Sequence, residues 1–338
     1  MKLLIVTQAV DTQDPILGFF VRWVEEFAKH CEKVTVICLR EGKYTLPVNV
    51  SVYSLGKEKG VSRIKYIFNF YRYIWQFRHD YDVAFVHMNQ EYVLLGGLFW
   101  HLWGKKVMLW RNHAKGDLFT QIAVLLSNKI FYTSSQSFTA RFKKALHMPV
   151  GIDTDFFTPG PLVPKKPNSI LFLGRIAPVK NIDTFIEALC ELKKLGVEFS
   201  VTIAGVALPK DAEYEKTIRN NVSAHGLDKN VRFVGPVTQE QARALYQEHA
   251  LYVNLTPSGS MDKTIFEAMA CGTTPLVFNH DFIPILGEDL TILKLDVSEI
   301  VKKIQCILIH KNNRNFRNFV TENHSIKILV DKLAAVCQ

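Results

Sequence analysis

The chain has 338 residues, 48% of them hydrophobic, which is enough apolar material for a sizeable core and favours two domains over one. Its six cysteines are scattered, which excludes a zinc-knuckle spacing or a close redox pair and fits a reducing cytoplasm. The net charge of +9 is uneven: residues 1–160 hold 20 Lys+Arg against 13 Asp+Glu. That bias suggests an anionic partner, either a phosphorylated acceptor or an anionic membrane surface. Nucleic acid would give the same sign, but no helix-turn-helix, zinc-finger or RNA-binding signature is present, so nucleic acid is not expected as a partner.

The chain opens on a short apolar run, residues 2–6, too short for a signal-peptide core with its cleavage site and read as a first strand. A helix follows, with Leu17, Phe20, Val21, Val24, Phe27 and Ala28 at helical spacing and Arg22, Glu25, Glu26 and Lys29 on the other face. Further strands are predicted over 33–39, 50–54, 83–87, 106–110 and 129–132. Residues 61–81 form a basic, aromatic amphipathic stretch, with Arg63, Lys65, Arg72 and Arg78 interleaved among Ile64, Phe68, Tyr71 and Trp75. Such a helix suits either an anionic membrane interface or ordinary packing on the sheet with a charged outer face. The longest apolar run, 92–104, is interrupted by His101 and is too short to span a bilayer.

Residues 149–168 contain five prolines and little periodicity, which reads as a linker. A second strand series follows at 170–173, 200–204, 230–234, 251–254 and 274–277, and residues 296–338 read as helices. Strands alternating with helical stretches indicate parallel sheets with helical crossovers. The fold class expected is α/β: two Rossmann-like, doubly wound parallel-sheet domains facing a central cleft. The expected division is 1–150, a linker over 151–168, a second domain over 169–310, and C-terminal helices over 311–338 packing back toward the first.

Two strand-to-helix loops carry the chemistry. In the first, Gly174 allows a tight turn while Arg175 and Lys180 can converge on a diphosphate; a solvated loop that is merely basic is the plain alternative. In the second, residues 256–272, a helix start exposes amides to a phosphate. Glu267 lies inside that helix and is costly to bury without a hydrogen bond, so either it binds a ribose diol or it caps a loop or pairs with a nearby lysine.

Five blocks resemble, in order, those of glycosyltransferase family 4. They are Val150-Gly151-Ile152-Asp153-Thr154-Asp155-Phe156-Phe157, Gly174-Arg175-x-x-x-x-Lys180, Val231-Arg232-Phe233-Val234-Gly235, Pro257-Ser258 and Glu267-Ala268-Met269-Ala270-x-Gly272. The resemblance implies a GT-B enzyme of the retaining, group 1 type that transfers a sugar from a nucleotide donor, a UDP-sugar or GDP-sugar, with no metal and no other cofactor. Arg175 and Lys180 match the pair that neutralises the donor diphosphate. Glu267 matches the ribose-binding glutamate, and the loop near Val237 would meet the base through its backbone. Lys263 and Thr264 fall where the backbone meets sugar and phosphate. In the first domain Gly18 matches a glycine near the donor phosphate and acceptor, and His113 matches a histidine that hydrogen-bonds the reacting sugar. His87 also ends a strand, and on its own reads as a structural histidine.

The chain departs from the family pattern at Gly259, where a second glutamate usually faces the donor sugar; Asp262, three residues on, stands nearest to replace it. The implied acceptor is a glycan or a lipid-linked molecule in cell-envelope glycan synthesis, reached from the cytoplasm by a protein peripheral to the inner face of the membrane. A non-catalytic subunit binding a nucleotide sugar or a partner enzyme, and a sugar-nucleotide epimerase, are the rival readings.

Overall fold

The computed structural model describes residues 1–14, 16–160, 165–259, 261–310 and 314–337. They divide into two compact units. One comprises Met1–Asp153, Gly259–Met261 and His324–Gln338, the other Thr154–Ser258 and Asp262–Asn323.

The first unit starts with β1 (Lys2–Val10), α1 (Phe19–His30), β2 (Lys33–Glu41), β3 (Val50–Ser54), α2 (Arg63–Gln76), β4 (Val83–His87), α3 (Gln90–Leu102), β5 (Lys106–Trp110), α4 (Leu118–Leu125), β6 (Lys129–Tyr132) and β7 (Ala145–His147). Its sheet runs β3-β2-β1-β4-β5-β6-β7, with every pairing parallel. The central strands are nearly continuous apolar runs because both faces are covered. Leu3 and Ile5 point into one cluster with Phe20, Val24 and Phe27 of α1. Leu4 and Val6, one residue out of phase, point into another with Phe70, Ile74, Trp100 and Val124 of α2, α3 and α4.

The second unit holds β8 (Lys166–Leu173), α5 (Ile182–Lys194), β9 (Ser200–Ala204), α6 (Ala212–Ala224), β10 (Val231–Gly235), α7 (Gln239–Glu248), β11 (His249–Asn254), α8 (Lys263–Ala270), β12 (Thr274–Val277), α9 (Ile283–Leu286), α10 (Val297–Ile309) and α11 (Phe316–His324). Its sheet is parallel, in the order β10-β9-β8-β11-β12. Residues of α5, α6 and α10 build the core on one face: Phe185, Ile186, Leu189, Val222, Ile300 and Ile304 are all buried there. No helix among the described residues is long and apolar enough to cross a membrane.

Strands β1 and β2 run on past the C-terminal ends of the predicted runs, while β8 and β11 begin earlier than predicted, where His249 pairs with Lys166 ahead of the apolar residues. Strand β7 was not expected, because three residues are too few to show alternation. Helix α2 stops at Gln76, before the predicted end. The chain turns there, and the buried Tyr81 hydroxyl donates to the Ile74 carbonyl at 3.0 Å.

The last helix, α12 (Ile326–Cys337), packs on α1 in the first unit. Gly151 holds the junction: its carbonyl accepts from Trp23 Nε1 at 2.9 Å. With φ +74°, a Cβ there would stand 2.3 Å from Leu329 Cδ2 and 2.7 Å from the Trp23 ring, so neither a left-handed backbone nor the space admits a side chain. Leu329 is fully buried in the same cluster. All five tryptophans lie within residues 1–153, so their fluorescence reports on the first unit. Leu329→Ala should cost that unit about 2–5 kcal/mol, seen as a lower urea midpoint by tryptophan emission; an unshifted midpoint would remove α12 from the core.

Candidate functional site

The loop after β8 is tied down by backbone contacts. Gly174 N donates to the Ala204 carbonyl at 3.0 Å, and Gly205 N to the Gly235 carbonyl at 2.7 Å. Gly205 has φ +138°, and a Cβ on it would fall 1.8 Å from the Gly174 carbonyl oxygen. Only glycine fits, and the ends of β8, β9 and β10 are thereby held in one tight arrangement. A short turn, Pro178–Lys180, follows, and Asn181 starts α5 in the left-handed region (φ +52°), its side chain donating to the Leu255 carbonyl at 2.7 Å.

Lys180 is thus aimed across the strand ends. Its Nζ donates to Asp262 Oδ2 at 2.6 Å and to Thr256 Oγ1 at 2.9 Å. Asp262 also accepts from Asn254 Nδ2 at 3.1 Å and, on Oδ1, from Thr264 Oγ1 at 3.1 Å. Tyr252 completes the network, donating to Thr264 Oγ1 at 2.7 Å while Asn254 donates to the Tyr252 hydroxyl at 3.0 Å. Burial alone would raise the Asp262 carboxyl. The adjacent Lys180 and the hydrogen bonds from Asn254 and Thr264 outweigh it and hold the group at about 2. Both Asp262 oxygens are engaged within this network, through which it anchors Lys180. Gly259 itself has φ +124°, a backbone that a glutamate would strain.

Helix α8 carries a second pair. Glu267 is buried and accepts from the Tyr246 hydroxyl at 3.1 Å. Burial drives the Glu267 carboxyl upward, opposed by the charge of Lys263 one turn earlier, and drives the Lys263 ammonium downward. Lys263 occupies the first turn of its helix, the end where the peptide dipoles disfavour a cation. The far end of α8 is held by Arg317, which donates to the carbonyls of Ala270 and Phe157 at 2.8 Å and of Thr154 at 3.0 Å. Lys165 fixes the adjoining turn through the carbonyls of Tyr246 and His249, and burial lowers its ammonium to about 8.

The structure therefore gathers Lys180, Asp262 and Thr264 into one network, with Lys263 and Glu267 on the helix that begins there. Arg175 lies on the same loop as Lys180. It is exposed and has no acceptor among the described residues. Val237 is half-buried in the loop between β10 and α7, where Thr238 and Gln241 form a reciprocal helix cap.

The first-unit residues stand in their own surroundings. Gly18 precedes α1, where a Cβ would meet the Asp14 carbonyl at 2.7 Å. Asp14 orders that loop by accepting from the amides of Ile16 and Leu17 at 2.8 Å and pairing with Arg40. His113 is exposed, its Nδ1 held by the backbone of Lys115, both ring-to-carbonyl (3.0 Å) and amide-to-ring (3.1 Å) geometries being present. His87 is buried, stacked on Phe20 at 4.0 Å and bonded to Thr7, a structural setting.

Sequence reasoning missed Asn254, Tyr252 and Tyr246, because they read as ordinary strand or helix positions. Gly205 was detectable: a glycine directly after a strand signals close backbone approach.

Because Asp262 lies below its ordinary 3.8 when folded, its ionised form favours the folded state. That contribution is full above the ordinary value and is lost as pH falls through about 2. Asp262→Asn should therefore lower stability by about 2 kcal/mol at neutral pH, with the gap closing from roughly pH 4 downward in calorimetry; a pH-independent gap would refute the ion pair.

Residues 153–316 match the family model "Glycosyl transferases group 1". The chain is 24% identical over 181 residues to WcaL of Escherichia coli (strain K12), a protein named for colanic acid biosynthesis glycosyltransfer; the match covers 52% of this chain and 42% of that one. It is 30% identical over 147 residues to the D-inositol 3-phosphate glycosyltransferase of Mycolicibacterium smegmatis (strain ATCC 700084 / mc(2)155), covering 41% of this chain and 33% of the other. The chain thus matches less than half the length of either relative. Among solved structures, Alr3699/HepE of Anabaena, crystallised with UDP and glucose, superposes with a TM-score of 0.79 over 99% of both chains at 16% identity. The likeness establishes the fold, two parallel-sheet α/β domains of the GT-B kind. Residues 153–316 are thus similar to the glycosyl transferases group 1 family.

Proposed function

We propose that this chain is a retaining, metal-independent glycosyltransferase. It moves a sugar from a UDP- or GDP-linked donor to a lipid-linked or polysaccharide acceptor in cell-envelope glycan synthesis. The observation that carries the reading is the paired placement of Lys180, fixed by Asp262, and the uncommitted Arg175 on one loop of the group 1 domain. Two cations there can neutralise a leaving diphosphate, the role a divalent ion plays elsewhere. That HepE is seen with UDP and glucose supports a nucleotide-sugar donor. Six free cysteines suit a reducing cytoplasm, at the inner face of the membrane.

In this mechanism the bond between the sugar's anomeric carbon and the diphosphate breaks as Arg175, Lys180 and the amides at the start of α8 take up the charge. The acceptor hydroxyl attacks from the same face and its proton passes to the departing phosphate. Glu267 holds the ribose hydroxyls, with Tyr246 orienting its carboxylate, and the backbone near Val237 meets the base. Lys263 and Thr264 line the phosphate and sugar. Gly18 and His113, on the first unit, serve the acceptor and the reacting sugar.

A second reading, a non-catalytic subunit that binds a nucleotide sugar, is favoured by one observation, Gly259 at the usual glutamate position. Turnover of a panel of UDP- and GDP-sugars separates the two: stabilisation by a donor without release of free nucleotide selects the second. An epimerase would instead return an isomerised donor.

Arg175→Ala is the cleanest test, because an exposed side chain with no acceptor among the described residues can be removed without harming the fold. It should lower kcat by about 10²–10³-fold with the melting temperature unchanged and with activity insensitive to a chelator. Near-normal turnover would defeat the assignment. Glu267→Gln should weaken donor binding more than it slows turnover, and equal losses in both would remove the ribose role.

A further inference from the structure

We infer that the outer face of α2, α3 and α4 is a docking surface for an anionic phospholipid bilayer. The inner sides of these helices are buried against the sheet through Phe70, Ile74, Val93, Trp100, Ala123 and Val124. Their outer sides are apolar as well, which ordinary packing of a crossover helix does not require. On α2, Ile64 is 81% exposed, with Phe68 and Trp75 beside it on the same stripe. Leu98 and Leu102 on α3, and Leu118, Phe119 and Leu125 on α4, are likewise exposed, Leu102 at 72% and Leu125 at 76%.

The patch is continuous. Tyr71 and Phe99 meet at 5.5 Å, Trp75 and Trp103 at 5.7 Å, and α3 packs on α4. Between α2 and α3 lies a groove of about 440 Å³ lined by Phe68, Tyr71, Trp75, Phe99 and Trp103, with Arg72 at its wall. Its aromatic walls suit a lipid acyl chain.

Charge selects the occupant. Arg63, Lys65 and Arg72 lie on α2, and the three helices hold one carboxylate between them, Glu91 in the first turn of α3. Lys65 lies over the Phe68 ring at 5.0 Å and Arg78 over Trp75 at 4.5 Å, which puts cations next to rings as at a bilayer headgroup layer. A second copy fits poorly, because a two-fold contact would set each cationic stripe against its own image. The sequence pointed to α2 alone; α3 and α4 enter only through the exposure of their outer sides. The inference rests on this surface and is independent of the donor reading.

The test is co-sedimentation of the full chain with vesicles of phosphatidylcholine, with and without phosphatidylglycerol. Binding should be strong only with phosphatidylglycerol. An Ile64→Ser, Phe68→Ser, Leu118→Ser, Leu125→Ser variant should lose it, and an Arg63→Glu, Lys65→Glu, Arg72→Glu variant should bind roughly 100-fold more weakly. Circular dichroism and melting should be unchanged in both, since every altered side chain is exposed. The proposal fails if the parent ignores phosphatidylglycerol vesicles, or if neither variant changes binding. It fails equally if the parent self-associates in sedimentation velocity without binding vesicles and the serine variant is monomeric, which would assign the face to a second copy.

Discussion

The ion pair between Lys180 and Asp262 is the constraint on which the candidate site depends. It joins the loop after β8 to the start of α8, and Asn254, Thr256 and Thr264 extend it to the end of β11. A largely buried pair of this kind adds little net stability, since desolvation offsets much of the attraction. What it does is hold an ammonium group in one place at the C-terminal ends of the strands, where doubly wound sheets bind their ligands. Asp262 is kept ionised by the same contacts, so the pair persists across ordinary pH.

Helix α8 is arranged against its own stability in the same region. A lysine stands at its first turn and a glutamate is buried within it, both displaced from their ordinary titration by burial. Arg317 offsets this from the other end by satisfying the Ala270 carbonyl, while Lys165 satisfies the Tyr246 carbonyl at the end of the neighbouring α7. Local conflict with propensity and charge rules, supported by rigid surroundings, is the pattern expected of a site selected for binding.

Most of the fold is legible in the sequence because buried parallel strands are apolar runs and α1 has a clear helical period. Strand β7 is not, since three residues carry no period, and the lengths of β1 and β8 depend on hydrogen bonding that composition does not report. In the site, Arg175, Lys180 and Glu267 stand out as charged groups in loops and helices that follow strands. Asn254 and Tyr252 do not, because polar residues ending an apolar strand look like its boundary. The outward side of α4 is equally hidden: Leu118, Phe119, Ile122 and Leu125 are apolar residues whose exposure only the structure reveals.

The central claim is that the loop of Arg175 and Lys180 binds a nucleotide diphosphate. Titration calorimetry of UDP and GDP against uridine and guanosine, on the parent and on Arg175→Ala, tests it most directly. The account predicts that one diphosphate binds the parent at least about 100-fold more tightly than its nucleoside, through two charge-assisted contacts, and that Arg175→Ala removes most of that gap. Equal affinity for nucleoside and diphosphate, or a gap untouched by the substitution, would contradict it.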